Sequence, residues 1–154
     1  ENIVWVGATG VGKTGLASAI LLKALSAGRT GRLIKAQDLF DDLSPSAADR
    51  STRALLKRLS CLDVLLIDEL GYVNPLPGQV NQFFRLLDSR YNKKPTLITT
   101  NLGYHHWAQF LGNATLTAGL LRRLLHNCRT ITFNKGVNLS TPKHPVPSAQ
   151  DKKD

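Results

Sequence analysis

The chain has 154 residues, of which 42% are hydrophobic and 20% charged, with a formal net charge of +9. This length favours a single domain, and no apolar run reaches the roughly 20 residues of a membrane-spanning helix. Because the sequence has no basic-then-apolar leader, we expect a cytoplasmic protein without a membrane partner. Cys61 and Cys128 have neither the number nor the spacing of a disulfide framework or a metal site.

Strand-like apolar runs alternate with helical patterns along the chain. Strands are predicted at residues 3–6, 32–36, 64–67, 96–100 and 130–133. Helices are predicted at residues 13–27, 37–43, 50–60, 79–91, 105–111 and 115–126. This alternation predicts an α/β fold with a parallel sheet. Within it, the spacing places Leu16, Ile20 and Leu21 on one side of the first helix, and Trp107 is expected to pack a short helix onto the sheet.

The two ends of the chain lead to separate expectations. After residue 133 the apolar period is lost and prolines accumulate, so residues 134–154 are interpreted as a flexible tail that follows a core of residues 1–133. The chain has no methionine and opens directly on a strand. We therefore interpret it as a fragment or a trimmed domain, with something removed before Glu1; the resemblance described below implies that this is an N-terminal domain.

Residues 7–14 read GATGVGKT, which fits the phosphate-loop pattern G-x-x-x-x-G-K-[ST] between a predicted strand and a predicted helix. Glycines allow a sharp turn that directs backbone N–H groups at a phosphate, and the following helix adds its positive dipole end. Lys13 is expected to neutralise the β- and γ-phosphates of a nucleotide, and the Thr14 hydroxyl to ligate Mg²⁺. The residues expected to bind the nucleotide are Gly7, Ala8, Thr9, Gly10, Val11, Gly12, Lys13, Thr14 and Gly15.

Polar residues follow two of the other predicted strands. Residues 64–69 read VLLIDE, and Asn101 ends the stretch TLITTN. Because open α/β sheets bind ligands at the carboxyl ends of their strands, we expect Asp68 to hold Mg²⁺, Glu69 to polarise an attacking water, and Asn101 to position that water.

Two other nucleotide-binding classes fit less well. Asp68 to Gly71 also matches the D-x-x-G of GTPases, but neither Asn-Lys pair, at Asn92 and Asn134, continues into the Asn-Lys-x-Asp element that reads guanine. A small-molecule kinase would need an arginine-rich lid, for which Arg122 and Arg123 alone are insufficient.

The ordered set GATGVGKT, VLLIDELGY, FFRLLDSRY, LITTNLGYHHW and LLRRLLH resembles the IstB/DnaC-like branch of AAA+ ATPases, and most closely its IstB-type transposition helper proteins. The resemblance covers roughly residues 2–133 and is most specific between Asp68 and Trp107. It implies a P-loop NTPase with an AAA+ αβα sandwich and a parallel five-stranded sheet of order 5-1-4-3-2. It also implies ATP hydrolysis between the subunits of a homo-oligomer, duplex DNA binding and a transposase partner.

The resemblance also assigns individual residues. Residues 7–14 match Walker A, Asp68 and Glu69 match Walker B, and Asn101 falls at sensor 1. Arg123 falls where the family has an arginine finger for the neighbouring subunit's nucleotide, although Arg122 stands where the family usually has Asp. The residues after Phe133 are too few and too rich in proline for a helical lid.

The positive charge is concentrated late in the chain. Between Ser89 and Gln150 there is no Asp or Glu but eight basic residues, namely Arg90, Lys93, Lys94, Arg122, Arg123, Arg129, Lys135 and Lys143. Such a distribution favours a polyanionic partner, and Lys57, Arg58, Lys93 and Lys94 are candidate contacts to DNA phosphates. Two alternatives remain open: a DnaC-like loader of the replicative helicase, and a DNA-binding module in which the nucleotide is only structural.

Overall fold

The computed structural model describes residues 1–44, 46 and 48–133, and the predicted tail of residues 134–154 lies outside this part of the chain. All predicted elements are present, with ends within about three residues of those expected. The strands are β1 (Asn2–Val6), β2 (Gly31–Lys35), β3 (Val64–Leu70), β4 (Thr96–Thr100) and β5 (Cys128–Thr132). The helices are α1 (Lys13–Ser26), α2 (Ala36–Asp42), α3 (Arg50–Cys61), α4 (Pro77–Arg90), α5 (Trp107–Leu111) and α6 (Ala114–His126), and a 3-10 turn at Tyr104–His106 precedes α5.

The five strands form one parallel sheet in the order β2-β3-β4-β1-β5. Read from the other edge, this is the predicted order 5-1-4-3-2, so the expected AAA+ αβα architecture is confirmed. After β1 the chain crosses to the far edge, returns through β3 and β4, and then adds β5 on the other side of β1. The strand order therefore reverses beside β1, which is where open α/β sheets place their ligands.

The two faces of the sheet are covered unequally. The larger core lies on the face covered by α2 to α6 and includes Leu65 and Ile67 of β3. The smaller core lies under α1 and includes the alternate β3 residues Val64 and Leu66. Neighbouring residues of a strand point to opposite faces, so β3 contributes to both cores, and its residues 64–67 are all apolar.

The side of α1 that carries Leu16, Ile20 and Leu21 is only partly buried. Leu21 is buried, but Leu16 and Ile20 are 51% and 40% exposed, and Ala17 is fully buried in their place. The reason is that α1 contacts the sheet through a narrow stripe, in which Ala17 and Leu21 lie one turn apart.

Arg90 does not belong to a basic surface, as its place in the charge pattern suggested. Its side chain is only 1% exposed. The guanidinium donates to the carbonyls of Leu59, Leu62 and Pro95 at 2.6–2.9 Å, and to the Thr96 hydroxyl at 3.1 Å. Burial lowers the pKa of Arg90 to about 10, so the group is still charged at neutral pH. It joins the end of α3, the end of α4 and the start of β4.

Trp107 packs as expected: its ring is fully buried in the larger core, and its indole N–H donates to the Leu102 carbonyl at 3.3 Å. Across the described residues, no helix combines the length and the hydropathy that crossing a membrane requires.

Candidate nucleotide-binding site

A cavity of about 340 Å³ opens at the carboxyl ends of the strands. It is lined by residues of the phosphate loop, by Glu69 and Tyr72, and by residues 99–101. The structure therefore brings Lys13, Glu69 and Asn101 to one place, although they are far apart in the sequence.

The phosphate loop has the backbone that its glycines predict. Gly10 and Gly12 have φ angles of 83° and 93°, a region that favours glycine. At Gly7 the constraint is space, because an added Cβ would lie 2.7 Å from the Cβ of Phe133. Helix α1 begins directly after the loop at Lys13, so its N-terminal end borders the cavity.

The Lys13 ammonium group lies over the loop itself. It donates to the carbonyl oxygens of Gly7 and Ala8 at 2.8 and 2.6 Å. Burial lowers the pKa of Lys13, while the charges of Asp68 and Glu69 act in the opposite direction. A cation held only by neutral carbonyls beside a cavity can exchange them for phosphate oxygens, which are stronger partners.

Asp68 is 3% exposed and is held by two hydroxyl groups. Its Oδ1 accepts from Thr14 at 2.9 Å and also from Thr99. The Thr14 hydroxyl and the Asp68 carboxylate are oxygen donors of the type that Mg²⁺ prefers, so these two residues fit the metal site expected from the sequence.

Glu69 is exposed because β3 contains one extra residue relative to β4. Ile67 pairs with Ile98 and Leu70 with Thr100, so Asp68 and Glu69 together lie opposite Thr99. This two-against-one arrangement is a β-bulge, and Glu69 takes a left-handed φ of 59° there.

The bulge reverses the alternation of β3. In a regular strand, Glu69 would follow Leu65 and Ile67 into the larger core. Instead Leu70 takes that place and is fully buried. Thr99 supports the bulge, since its hydroxyl accepts the Glu69 backbone N–H at 2.9 Å and donates to Asp68. Outside the strand, the Glu69 carboxylate lies 3.6 Å from the Lys35 ammonium group.

Asn101 follows β4 directly and lines the same cavity. A Cβ added to Gly71 would lie 2.6 Å from the Asn101 Oδ1, and Gly71 has a φ of 116°. The turn after β3 thus packs closely against the amide that follows β4.

Arg123 lies away from this cavity. Together with Asn2 and Thr96 it lines a small pocket at the strand starts, and it pairs with Asp88 at 3.2 Å. Strands of five residues span about 16 Å, so Arg123 lies at the opposite end of the strands from the phosphate loop of its own chain.

The four candidate DNA contacts also lie towards the strand starts. Lys57 and Arg58 are exposed in the last turns of α3, and Lys93 is exposed in the turn after α4. Lys94 is partly buried and pairs with Asp63. Arg90 joins the end of α3 to this turn, so the four residues share one end of the molecule.

Tyr72, Thr99 and Lys35 are among the residues of the site that the sequence analysis did not single out. Tyr72 could have been suspected because it directly follows the D-x-x-G match. For Thr99 and Lys35 the sequence carries no such signal, because their roles depend on the bulge and on the pairing of β2 with β3.

The fold and the site together define a P-loop nucleotide-binding protein of the AAA+ type. The model of the family "IstB-like ATP binding protein" matches residues 1–139, so the chain belongs to that family.

Individual relatives agree with this assignment. The chain is 34% identical over 133 residues to a protein named as an ATP-binding protein of insertion sequence IS232 from Bacillus thuringiensis, and 35% identical to its counterpart of IS21 from Pseudomonas aeruginosa. These matches cover 86% of the chain but only 53% and 50% of the relatives, so the chain spans about half their length.

Solved structures show the same fold. DnaI superposes with a TM-score of 0.74 at 23% identity, covering 86% of this chain and 72% of that one. The DnaC helicase loader superposes with a TM-score of 0.71 at 25% identity, covering 87% and 78%.

Proposed function

We propose that the protein is an ATPase that assembles as a homo-oligomer on duplex DNA and recruits or stimulates a transposase at target DNA. The ATPase part is supported by one observation above the others: Lys13, Glu69 and Asn101 line one cavity, and Asp68 is hydrogen-bonded to Thr14 beside it. The transposase part is supported by the relatives, which are named for insertion sequences. This role requires ATP and DNA together, and hence a cytoplasmic location.

Each side chain of the site has a role in the proposed reaction. Backbone N–H groups of residues 7–15 bind the phosphates, and Lys13 neutralises their charge. Thr14 and Asp68 would hold Mg²⁺, which when bound offsets the negative charge of the phosphate oxygens. Glu69, which the bulge keeps out of the core, polarises the attacking water, and Asn101 orients this water.

The reaction is completed between subunits. Arg123 lies at the end of the sheet where the strands start, whereas its own phosphate loop lies where they end. It can therefore act as an arginine finger only on the nucleotide of a second copy. Lys57, Arg58, Lys93 and Lys94 would contact DNA phosphates from the strand-start end, with an affinity that falls steeply with salt.

The test is DNA binding and particle mass of the full-length protein with ATP, with ADP and without nucleotide. ATP is expected to raise both quantities. Lys13→Ala should abolish ATP binding, whereas Glu69→Gln should keep binding and trap the assembled state. Lys23→Ala, at an exposed position of α1, is the matched control for the lysine variant. Normal hydrolysis by Glu69→Gln would refute the assignment of the base.

Two alternative functions predict different results in binding and turnover experiments. A helicase-loader role is favoured by the likeness to DnaI and the DnaC helicase loader, and it predicts capture of the replicative helicase rather than a transposase. A DNA-binding module with a structural nucleotide predicts bound nucleotide without turnover, and a DNA affinity that is indifferent to ATP.

A further inference from the structure

Tyr72 lies at the mouth of the nucleotide cavity because of an unusual turn. Glu69 and Gly71, with φ angles of 59° and 116°, redirect the chain where β3 ends, and Tyr72 follows them. Its ring lines the cavity with Lys13 and Asn101. The turn thus projects an aromatic side chain over the phosphate loop.

The hydroxyl group of Tyr72 is hydrogen-bonded to the hydroxyl group of Thr9, the third residue of the phosphate loop. This bond links the turn after β3 to the loop after β1, across the space that a phosphate chain would enter. Both groups are neutral and the contact is exposed, so the bond is of the weaker kind.

Tyr72 is not packed into the core, since 54% of its surface is exposed. Tyr104 shows the contrast: it is half-buried, its ring lies 5.7 Å from that of Trp107, and its hydroxyl bonds Thr130 on β5. A packed tyrosine such as Tyr104 contributes to the fold, whereas an exposed one at a cavity mouth can change partners.

We propose that Tyr72 is a nucleotide-binding residue that recognises the terminal phosphate of ATP, exchanging the Thr9 hydroxyl for an oxygen of that phosphate. The inference rests on the proposed ATPase function. A hydrogen bond to a charged oxygen is stronger than one to a neutral hydroxyl, so a triphosphate favours the exchange. A diphosphate lacks the terminal group and leaves Tyr72 on Thr9. Because Glu69 belongs to the same turn, the exchange also fixes the backbone that carries the catalytic carboxylate.

The experiment compares the affinity of the full-length protein for AMPPCP, a non-hydrolysable ATP analogue, with its affinity for ADP. Tyr72→Phe removes only the hydroxyl, so it is expected to weaken AMPPCP binding about 10-fold or more and ADP binding less than about 2-fold. Tyr104→Phe, the matched control, should leave both affinities unchanged. Thr9→Val removes the partner but keeps the Tyr72 hydroxyl, so the preference for AMPPCP over ADP should survive.

Two results would overturn the inference. The first is that Tyr72→Phe weakens the binding of AMPPCP and ADP equally, or the binding of neither. The second is that Thr9→Val removes the preference for AMPPCP over ADP as Tyr72→Phe does, which would make the contact between the two residues merely structural. The proposed ATPase function is tested separately, by the affinity of Lys13→Ala for AMPPCP. If that variant bound AMPPCP like the wild type, the ATP site itself would be refuted, whatever Tyr72 did.

Discussion

Thr99 shows how one hydroxyl group organises the acidic end of β3. It is 1% exposed, and it both accepts the backbone N–H of Glu69 and donates to the carboxylate of Asp68. It therefore fills the hydrogen-bonding gap that a bulge leaves in the sheet. The same contact fixes both acids of the site, one buried and one exposed.

We expect Thr99→Val to lower the free energy of unfolding by about 1–3 kcal/mol, because it leaves the Glu69 N–H without a partner in a partly buried position. It should also weaken Mg²⁺-dependent nucleotide binding, since Asp68 loses a donor. Thr117→Val is the control: Thr117 is equally buried, but its hydroxyl bonds only the Asn113 carbonyl in its own helix. Urea unfolding and nucleotide titration of both variants provide the measurements, and equal effects on binding would contradict the role of Thr99.

At the scale of single residues, the sequence predicted that Asp68 and Glu69 belong to the site, but it did not predict how the two carboxylates are arranged. Asp68 and Glu69 were identifiable because two carboxylates directly follow an apolar run. Their different environments depend on the pairing of β3 with β4, and Thr99 is one of several threonines in that stretch. A hydrogen bond between strands 30 residues apart has no local pattern to reveal it.

Among the elements, α3, α4 and β4 are joined by Arg90. Three carbonyls at the ends of these elements receive its N–H groups. Helix ends leave carbonyls without partners, and a buried arginine satisfies several of them at once.

Arg90→Met should lower the free energy of unfolding by about 3 kcal/mol or more, because it keeps the volume but leaves buried carbonyls unpaired. Arg85→Met is the control on the same helix, at an exposed position, and should change stability by no more than about 0.5 kcal/mol. The fluorescence of the buried Trp5 and Trp107 reports unfolding in urea. Similar losses of unfolding free energy in the two variants would show that the hydrogen bonds of Arg90 do not stabilise the fold.

Asp63, just before β3, makes stability depend on pH. The hydrogen bond from Lys94 holds the pKa of this carboxyl well below its usual range, and bonds from Thr30 add to the effect. Because the folded pKa lies below the unfolded one, the stabilisation is present above about pH 4 and is lost as the pH falls further.

Asp63→Asn should therefore destabilise the protein at pH 7 and make its stability less dependent on pH below about 4. Unfolding free energies at pH 7, 4 and 3 measure this, and the gap between variant and wild type should begin to narrow as the pH falls below about 4. The exposed Asp42 provides the comparison as Asp42→Asn. A constant gap between wild type and Asp63→Asn at all three pH values would refute the linkage.

The elements themselves were predictable from the alternation of strands and helices, because strong periodicity reports burial directly. The exceptions have physical causes. The charge pattern could not show that Arg90 is buried, since its partners are carbonyls and not acids. Leu16 and Ile20 share a side of α1 with the buried Leu21 and are nevertheless exposed, because a helical period gives a face but not the width of its contact with the sheet.

In the whole molecule, the proposed nucleotide site and the proposed contacts to DNA and to a second subunit lie at opposite ends of the strands. The nucleotide cavity is at the strand ends, whereas Arg123 and the four candidate DNA contacts lie towards the strand starts. A site that needs residues from both ends can be completed only by stacking copies head to tail, which is a heterologous arrangement.

A mixing experiment tests this arrangement. Lys13→Ala and Arg123→Ala should each reduce ATP hydrolysis strongly, the latter by about 10³-fold or more. In an equimolar mixture, roughly a quarter of the sites would combine an intact loop with an intact Arg123 from a neighbour, and activity should return accordingly. Arg122→Ala, on the same exposed stretch of α6, should keep its activity alone. A mixture no more active than its separate parts would contradict an arginine acting between subunits.

The bulge in β3 has a consequence for how this site can change over evolution. Glu69 is outside the core only because it is one residue more than the pairing with β4 requires. A point substitution nearby alters one side chain, but losing a single codon between Ile67 and Leu70 would restore regular pairing, keep Leu70 in the core and leave one acid where there are now two. We therefore expect the length of this segment to vary less across the family than its composition, so an alignment with a gap here would mark a protein that has lost one of the two acids of the proposed site.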